Sequence, residues 1–363
     1  MQMKILIIGP FPPPVDGCSN SNKVLYRNIV SRNIKCATID TNTDVISGNQ
    51  GSKFSLEKAL KFMGNYLQLY KIWSCDVVYF TPGQTFYGIL KYGPFIVSCL
   101  LFKKPYTIHL HGNFLGNQYK LLSRKKRKIF HFLVSKASAG IVITNSLRKN
   151  FEGILDGEKI NVVEYFVENP LYEKSFAKTN NRLKILYLSN LMREKGILEF
   201  LDALILLNED GVIFEANVAG SIETGLKGEV DTRLNRLGDK VKYLGTILGE
   251  EKTQKLIEAN VFVLPTYYTM EGLPFSLLEA MATGNILVTT NHAGIPDVVN
   301  ELNGFLVEKR SAEMIKNALK VISSDLVYYI NKISGHNTSY ARLNFTEENF
   351  TSSVIAVLQS TIK

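Results

Sequence analysis

Two series of short apolar runs, each alternating with segments of helical period, constrain the fold of this chain more than any other feature. In the first half, runs rich in β-branched residues fall at Lys4–Gly9, Asp76–Phe80, Tyr106–His111 and Gly140–Thr144. Runs that stay apolar on successive residues are typical of strands that helices cover on both faces. Strands that alternate with helices in this way predict an α/β unit with a doubly wound parallel sheet.

The same alternation restarts after the polar stretch Glu173–Arg182. Its strands are predicted at Leu183–Ser189, Phe214–Ala219, Val261–Pro265 and Asn285–Thr290. With 363 residues and 45% hydrophobic content, the chain is long enough for two cores. We expect an N-terminal domain over residues 1–168, a C-terminal domain over 169–340, and a C-terminal helix over 341–363 that can pack back on the first domain. The carboxyl ends of the strands should face a cleft, where ligands bind in such folds.

No segment reads as a signal peptide or as a membrane span. The apolar run Ile5–Ile8 is short and prolines follow it from Pro10 onward. The segment Tyr92–Phe102 is shorter than the roughly 20 residues that a membrane helix needs, and a core helix explains it better. The four cysteines are widely spaced, which predicts neither a disulfide framework nor a zinc site. We therefore expect a mature chain that starts at Met1 and is cytoplasmic, with a peripheral position on the inner face of the cell membrane as an alternative.

The formal charge of +9 is concentrated in the first half of the chain. No carboxylate occurs between Asp76 and Glu152, while this stretch holds many cations, including the run Arg124–Lys128. Such a field suits nucleic acid, an anionic membrane leaflet or a phosphate-bearing substrate, and electrostatics alone does not separate them. A solvated helix face explains the run equally well.

The most informative motif is Glu271-Gly-Leu-Pro-Phe-Ser-Leu-Leu-Glu279. It follows the predicted strand Val261–Pro265 and leads into an apolar helix, Phe275–Ala282. One carboxylate therefore lies in the loop before the helix and the other within it, while amides at the helix start point toward an anion. This arrangement suits one extended ligand in which a sugar, a diphosphate and a ribose follow one another. Two glutamates at this spacing are usually surface charges. The surrounding residues must therefore show whether this pair forms a binding site.

Those surrounding residues carry a family resemblance. The motif continues into Glu279-Ala-Met-Ala282 and is followed by Gly284 and by Ala293-Gly-Ile-Pro-Asp-Val-Val299. In this form E-x7-E resembles the family 4 retaining glycosyltransferases of the GT-B fold. The resemblance implies two Rossmann-like, doubly wound parallel-sheet domains that face a cleft.

The resemblance also implies roles for the motif. Glu271 should contact the hydroxyls of the donor sugar, and Glu279 should bind the ribose hydroxyls. The residues between them should offer backbone groups to the sugar and the diphosphate; these are Gly272, Leu273, Pro274, Phe275 and Ser276. Further donor contacts are implied at Gly220 and Gly245, where the family's loops close around the nucleotide base.

A second signal, Arg193-Glu-Lys195-Gly196, follows the predicted strand Leu183–Ser189. Cations at a strand end suit a leaving diphosphate, although an isolated charged turn at a helix start is normally solvated. The family has a Lys-Gly pair here, which Lys195 and Gly196 match. It also has an arginine five residues before that lysine, where this chain has Asn190, which is kept as a candidate donor contact. Either Arg193 takes over the role of that arginine or the grip on the diphosphate is weaker.

A third signal, His109-Leu-His111, ends a predicted strand. Side chains two residues apart in a strand lie on the same face of the sheet, so both imidazoles should share one face. A metal site is the less favoured reading, because no third ligand accompanies the pair. In the family, a histidine at this strand end lies beside the donor sugar, and His111 matches it better than His109. The loop that ends at Gly17, before a helix from about Ser19, resembles the family's first glycine loop and implies a donor contact there, although a glycine before a helix is often only a turn device.

Together these features predict a retaining, metal-independent hexosyltransferase with no cofactor, since no D-x-D pair is present. It would move a hexose-type sugar from a nucleotide diphosphate sugar to a glycan or polyprenyl-diphosphate-linked acceptor in assembly of O-antigen, capsule or a similar surface polysaccharide. The expected partners are donor, acceptor and an anionic membrane surface, but not nucleic acid. Three alternatives stay open. They are a non-catalytic nucleotide-sugar-binding subunit, a GT-B sugar nucleotide epimerase, and a phosphorylase, which would require a cofactor-bearing lysine.

Overall fold

A computed structural model of the chain describes residues 3–42, 62–174, 177–179 and 181–362. The described chain forms two compact units. The first unit contains the residues up to Tyr165 and those from Glu347 onward, and the second unit runs from Phe166 to Thr346. The polar stretch predicted at 173–182 includes residues 175, 176 and 180, which lie outside the described residues.

Each unit contains a six-stranded, all-parallel sheet. The strands of the first unit are β1 (Lys4–Gly9), β2 (Lys35–Asp40), β3 (Val77–Phe80), β4 (Tyr106–Leu110), β5 (Ala139–Val142) and β6 (Ile160–Val162), in the order β2-β1-β3-β4-β5-β6. The strands of the second unit are β7 (Leu183–Leu188), β8 (Phe214–Ala219), β9 (Val241–Tyr243), β10 (Val261–Leu264), β11 (Ile286–Thr290) and β12 (Gly304–Val307), in the order β12-β11-β10-β7-β8-β9.

Helices connect the strands. Those before residue 173 are α1 (Gly17–Ser31), α2 (Tyr70–Trp73), α3 (Phe86–Leu90), α4 (Gly93–Leu101), α5 (Leu115–Leu121), α6 (Arg124–Ser135) and α7 (Asn169–Tyr172). Those after residue 181 are α8 (Ile197–Glu209), α9 (Lys227–Leu237), α10 (Gly249–Glu258), α11 (Phe275–Ala282), α12 (Ala312–Ser324), α13 (Leu326–Asn344) and α14 (Glu347–Thr361). Short 3₁₀ turns occupy Gly64–Gln68, Asn145–Phe151, Gly157–Lys159, Arg193–Lys195, Gly238–Lys240 and Ile295–Asp297. None of the helices in the described ranges is both long and apolar enough to cross a bilayer.

The two predicted doubly wound parallel sheets are confirmed, and all eight predicted strands form. The strands that sequence patterns did not reveal, or revealed only in part, are β2, β6, β9 and β12, which are the outermost strands of the two sheets. An outermost strand pairs on one side only and is partly exposed, so it lacks a continuous apolar run. In β2, exposed residues alternate instead with half-buried ones and with the buried Ile39.

The helix predicted within Tyr92–Phe102 is α4, and only one of its faces is buried. Phe95, Ile96 and Cys99 pack in the core. Leu101 and Phe102 are 73% and 46% exposed. This helix therefore covers the sheet with one side and presents large apolar side chains to solvent with the other.

The last helix, α14, belongs to the first unit. Phe350, Val354 and Leu358 are buried in it, and the helix contacts α1 and the strands β3 and β5. The Arg27 guanidinium of α1 forms an ion pair with the buried carboxylate of Glu347. The chain therefore leaves the first unit after Tyr165 and returns to it after Thr346.

The strand order identifies where each sheet should bind a ligand. In an open α/β sheet, ligands bind beyond the carboxyl ends of the strands, at the point where the strand order reverses direction. In the first sheet this point lies between β1 and β3, and in the second between β7 and β10. The loops that follow these strands should therefore carry the functional side chains.

Candidate active site

The loops after β7 and β10 are in close contact in the second unit. Gly196 has a φ of +77°, and a Cβ atom built on it would lie 2.4 Å from the carbonyl oxygen of Pro265. The amide of Tyr267 donates to the carbonyl of Glu194 at 2.8 Å. Only glycine satisfies both the left-handed backbone and this approach, so Gly196 fixes the position of Lys195 relative to the second loop.

A buried ion pair joins the two loops. The ammonium of Lys195 lies 2.5 Å from Oε2 of Glu271, and their side chains are only 15% and 9% exposed. The hydroxyl of Thr266 donates to the same carboxylate oxygen at 3.2 Å, and the ring of Tyr268 lies 5.3 Å below the ammonium. The structure thus brings together Lys195 and Glu271, both predicted from sequence, at the switch point of the second sheet.

The helix α11 begins at Phe275, four residues after Glu271. Pro274 occupies the N-cap position, where no side chain caps the helix within the described part of the chain. The helix dipole adds positive potential at this end, which favours an anion there. The ring of Phe275 packs edge-on against Phe166, so the contribution of this residue to a ligand would come from its main chain. Gly272 accepts a hydrogen bond from the amide of Gly294 at 2.9 Å, which ties the Gly-Ile-Pro-Asp string to the motif.

Glu279 pairs with a lysine that sequence reasoning missed. Nζ of Lys252, on α10, lies 2.6 Å from Oε1 of Glu279, and their side chains are 27% and 12% exposed. Lys252 belongs to no motif, and 27 residues separate it from Glu279, so no local signal could have identified it. Each glutamate of E-x7-E is therefore held by a lysine from another loop or helix.

Arg193 lies on a different side of its loop from the Lys195–Glu271 pair. Its guanidinium pairs with Glu229 of α9, and both side chains are about half exposed. Its main-chain amide donates to the carboxylate of Glu223 at 3.2 Å. Asn190 accepts a hydrogen bond from the hydroxyl of Ser221 at 3.1 Å. The structure therefore does not bring Arg193 or Asn190 to the buried pair.

The glycines Gly220 and Gly245 hold the loops at the ends of β7, β8 and β9 together. Gly220 has a φ of +139°, and a Cβ atom there would lie 1.9 Å from the carbonyl oxygen of Ser189. Its amide donates to the carbonyl of Gly245 at 2.7 Å. Backbone contact alone requires glycine at residue 220, whether or not a ligand binds nearby.

In the first unit, two histidines stack at the end of β4. The rings of His109 and His111 lie 4.3 Å apart. Nδ1 of His109 is 2.5 Å from the hydroxyl of Tyr79, and Nδ1 of His111 is 2.8 Å from that of Tyr165. Both Nε2 atoms are shielded from solvent and have no hydrogen-bond partner among the described residues. Burial lowers the pKa of His111 to about 3, and burial together with the neighbouring His111 lowers the pKa of His109 well below its usual range.

The loop after β1 in the first unit is fixed by packing and by a helix cap. A Cβ atom on Gly9 would lie 1.9 Å from the hydroxyl of Thr81. Gly17 is the first residue of α1, and the carboxylate of Asp16 caps this helix by accepting from the amide of Ser19 at 2.8 Å. The predicted helix start near Ser19 is therefore two residues late.

A metal centre is not assembled anywhere in residues 3–42, 62–174, 177–179 and 181–362. No group of three His, Cys, Asp or Glu side chains there could hold a metal ion. His109 and His111 contact tyrosines rather than a third ligand of this kind.

Comparison with known proteins agrees with this geometry. Residues 182–325 match the family model described as glycosyl transferases group 1. The amylovoran biosynthesis glycosyltransferase AmsK of Erwinia amylovora is 31% identical over 46% of this chain, and the match spans only 42% of its own length. The UDP-Gal:alpha-D-GlcNAc-diphosphoundecaprenol alpha-1,3-galactosyltransferase of Escherichia coli is 25% identical over 76% of this chain and 73% of its own. The crystal structure of Anabaena HepE with UDP-glucose superimposes with a TM-score of 0.72 at 16% identity, over 98% of this chain and 99% of that one.

Two Rossmann-like units, with an E-x7-E helix in the second, define the GT-B class of fold. The match to the group 1 glycosyltransferase model lies within the second unit and covers most of it. The GT-B fold expected from the E-x7-E motif is thereby confirmed, and the second unit matches a glycosyltransferase family model, as the motif predicts.

The contact between Gly196 and Pro265 can be tested with a matched pair of variants. Gly211 has a φ of +79°, but nothing lies within 4 Å of its virtual Cβ. Alanine should cost about 1 kcal/mol at Gly211 through backbone strain alone, and about 2–4 kcal/mol at Gly196, where the Cβ also displaces Pro265. Thermal and denaturant unfolding of G196A and G211A measures this difference. Equal losses would contradict the close approach.

The histidine stack predicts a pH dependence of stability. Unfolded His111 takes up a proton near pH 6.5, whereas the folded protein keeps this ring neutral down to about pH 3. The unfolded state therefore binds more protons in this window, so the free energy of unfolding should fall as the pH drops from about 6.5 toward 3. H111Q should flatten this dependence. An NMR titration that showed the native His111 ring protonating between pH 5 and 8 would contradict the assignment.

Proposed function

We propose that this protein transfers a hexose-type sugar, with retention of configuration, from a nucleoside diphosphate sugar to a lipid-linked or glycan acceptor in surface polysaccharide assembly. The observation that carries the proposal is the buried Lys195–Glu271 pair, which lies at the switch point of the second sheet and beside the start of α11. A cation, a carboxylate and the start of a helix close to one another support a site for a sugar diphosphate.

The donor diphosphate is assigned to Lys195 and the amides at the start of α11. A pyrophosphate placed there draws the ammonium away from Glu271 and accepts hydrogen bonds from the helix start, and both interactions strengthen as charge develops on the leaving group. Arg193 can add a second cation only by giving up its exposed pair with Glu229, which is a weak interaction.

The two glutamates are assigned to the hydroxyl groups of the donor. Glu271 receives hydrogen bonds from the sugar, and Glu279 from the ribose. Each carboxylate is now satisfied by a lysine, so ligand hydroxyls replace one partner without leaving a bare buried charge. Because the E. coli relative is named for UDP-Gal and the Anabaena structure contains UDP-glucose, a uridine nucleotide is the donor proposed first.

The transfer itself needs no covalent intermediate on this chain. The bond from the anomeric carbon to the diphosphate breaks, a bond to the acceptor oxygen forms on the same face, and the acceptor proton passes to the leaving diphosphate. In this scheme Glu271 positions the sugar and stabilises charge. No step is assigned to a metal ion, so transfer is proposed to be metal-independent.

The acceptor is assigned by the chemistry of the relatives. The E. coli relative is named for a diphosphoundecaprenol acceptor, and AmsK for biosynthesis of amylovoran. We assign this chain a polyprenyl-diphosphate-linked saccharide as acceptor, with the first unit as its binding unit and an anionic membrane surface as a partner. The basic stretch without carboxylates between Asp76 and Glu152 supports this assignment.

Nucleotide binding tests the donor site directly. We expect calorimetry with a chelator present to show binding of UDP in preference to GDP, ADP, TDP and CMP. E279Q should weaken this binding at least about tenfold, because a charged acceptor of ribose hydrogen bonds is lost. The matched control is E258Q, which removes another lysine-paired carboxylate, at the end of α10, the helix that also carries Lys252. Binding of none of the nucleotides, or equal loss in both variants, would contradict the donor site.

Activity tests the chemistry. Because Glu271 is buried against Lys195, glutamine is preferable to alanine, which would leave the cation without a partner. E271Q should lower kcat/KM for sugar transfer on the order of 10²- to 10³-fold, while E215Q, at an exposed pair with Arg182, should leave it unchanged. Transfer by the wild type should persist with chelator. An epimerase would convert the donor without acceptor, and a non-catalytic subunit would bind nucleotide without turnover; either result would overturn the proposed reaction.

A further inference from the structure

Three connecting structures form the outer layer on one face of the first sheet. They are α2 with the 3₁₀ turn before it, α4 and α6, which precede β3, β4 and β5. Parallel crossovers are right-handed, so connections that advance in the same direction along the sheet lie on the same face. In agreement with this, α4 contacts both α2 and α6. The opposite face is covered by α1 and α14, which contact each other.

The solvent side of this layer is unusually apolar. Along the turn and α2, Met63, Leu67, Tyr70 and Trp73 recur at helical spacing and are 56%, 83%, 67% and 73% exposed. The other exposed apolar side chains of the layer are Val97, Leu101 and Phe102 on or next to α4, and Ile129 and Phe132 on α6. The cores of these helices are filled separately by Ile72, Phe95, Ile96, Cys99, Phe130, Leu133 and Val134. Single exposed apolar residues are ordinary, but an apolar surface that spans three neighbouring helices marks an interaction site.

The charges on this layer have one sign. Exposed lysines surround the apolar side chains, namely Lys103, Lys125, Lys128 and Lys136. No carboxylate occurs between Asp76 and Glu152, and none of these lysines forms an ion pair within the described part of the chain. The field around the apolar surface is therefore positive and is not neutralised within the first unit's outer layer.

This combination points to one kind of partner. A nucleic acid offers phosphates to the lysines but no counterpart for exposed leucine, isoleucine and methionine side chains. An anionic bilayer surface offers both, because its headgroups attract lysines and its acyl boundary accepts aliphatic and aromatic side chains to a depth of about 5–10 Å. Tryptophan and tyrosine prefer this boundary, and α2 presents both.

We propose that the outer surface of α2, α4 and α6 is the face by which this protein docks on an anionic lipid bilayer. The lysines of this face are attracted to the anionic headgroups. The exposed apolar side chains of α2, α4 and α6 named above enter the boundary between headgroups and acyl chains. Docking there would hold the first unit against the membrane that carries a polyprenyl-linked acceptor. Binding to lipid nevertheless requires neither donor nor acceptor, so its failure and a failure of the proposed transfer are separate results.

Vesicle sedimentation tests the electrostatic part. The protein should bind vesicles of phosphatidylglycerol and phosphatidylcholine at low salt, and bind pure phosphatidylcholine vesicles much more weakly. At about 1 kcal/mol per basic residue, the triple variant K125Q/K128Q/K136Q should lower the partition coefficient on the order of a hundredfold. The control K242Q/K309Q/K332Q removes the same charge from exposed positions of the second unit and should retain binding. Equal losses, or binding of single-stranded DNA but not of vesicles, would overturn the proposal.

Insertion is tested by the chain's single tryptophan. Trp73 is 73% exposed in the protein, so its emission should move to shorter wavelength on anionic vesicles and be quenched by brominated lipids. L101Q/F132Q should weaken binding at least about tenfold through lost apolar burial. The control I213Q/L343Q alters two side chains of the second unit that are each 75% exposed, and it should bind normally. Unchanged Trp73 emission on bound vesicles, or a dimer that L101Q/F132Q dissociates without any lipid binding, would overturn the proposed docking face.

Discussion

The ion pair between Lys195 and Glu271 joins the loops that follow β7 and β10, the two central strands of the second sheet. Two charges withdrawn from water are costly, and their mutual attraction rarely gives a large net gain in stability. The fold nevertheless brings them together, by a left-handed glycine pressed against Pro265 and by the hydroxyl of Thr266. Because such a pair adds little stability, we assign it to the proposed donor site, where a diphosphate would take the lysine and sugar hydroxyls would take the carboxylate.

The second glutamate of the motif, eight residues later and within α11, is also paired with a cation. Glu279 is neutralised by Lys252, which comes from a different helix. Without donor, both glutamates of the E-x7-E motif thus have a cationic partner, and neither is left as an isolated charge near the start of α11. Both carboxylates are therefore electrostatically balanced, and under the proposed function donor binding would exchange their partners instead of burying new charge.

Much of the fold could be predicted from sequence because its central strands are apolar on successive residues and its helices have a clear period. The helix α11 was predicted with its observed ends, since Pro274 opens it and Gly284 follows it. The outermost strands are less readily predicted from sequence. In strands such as β2 the exposure alternates along the strand, so the segment resembles an ordinary amphipathic one. At the site, Lys195 and Glu271 could be predicted from motif context, but the partners Lys252 and Glu229 could not. Ion pairs across helices depend on tertiary packing, which leaves no local signal.

The return of α14 to the first unit has a consequence for how the protein is made. The core around α1 is completed by Phe350, Val354 and Leu358, which leave the ribosome only after the whole second unit has been synthesised. The apolar surface of the first unit that α14 covers therefore stays exposed until the second unit, which is one continuous segment, has been synthesised. A chain cut before Glu347 would lose the buried partner of Arg27 and would expose the apolar surface that α14 covers. Premature termination close to the C-terminus should thus damage the unit formed from the N-terminal residues.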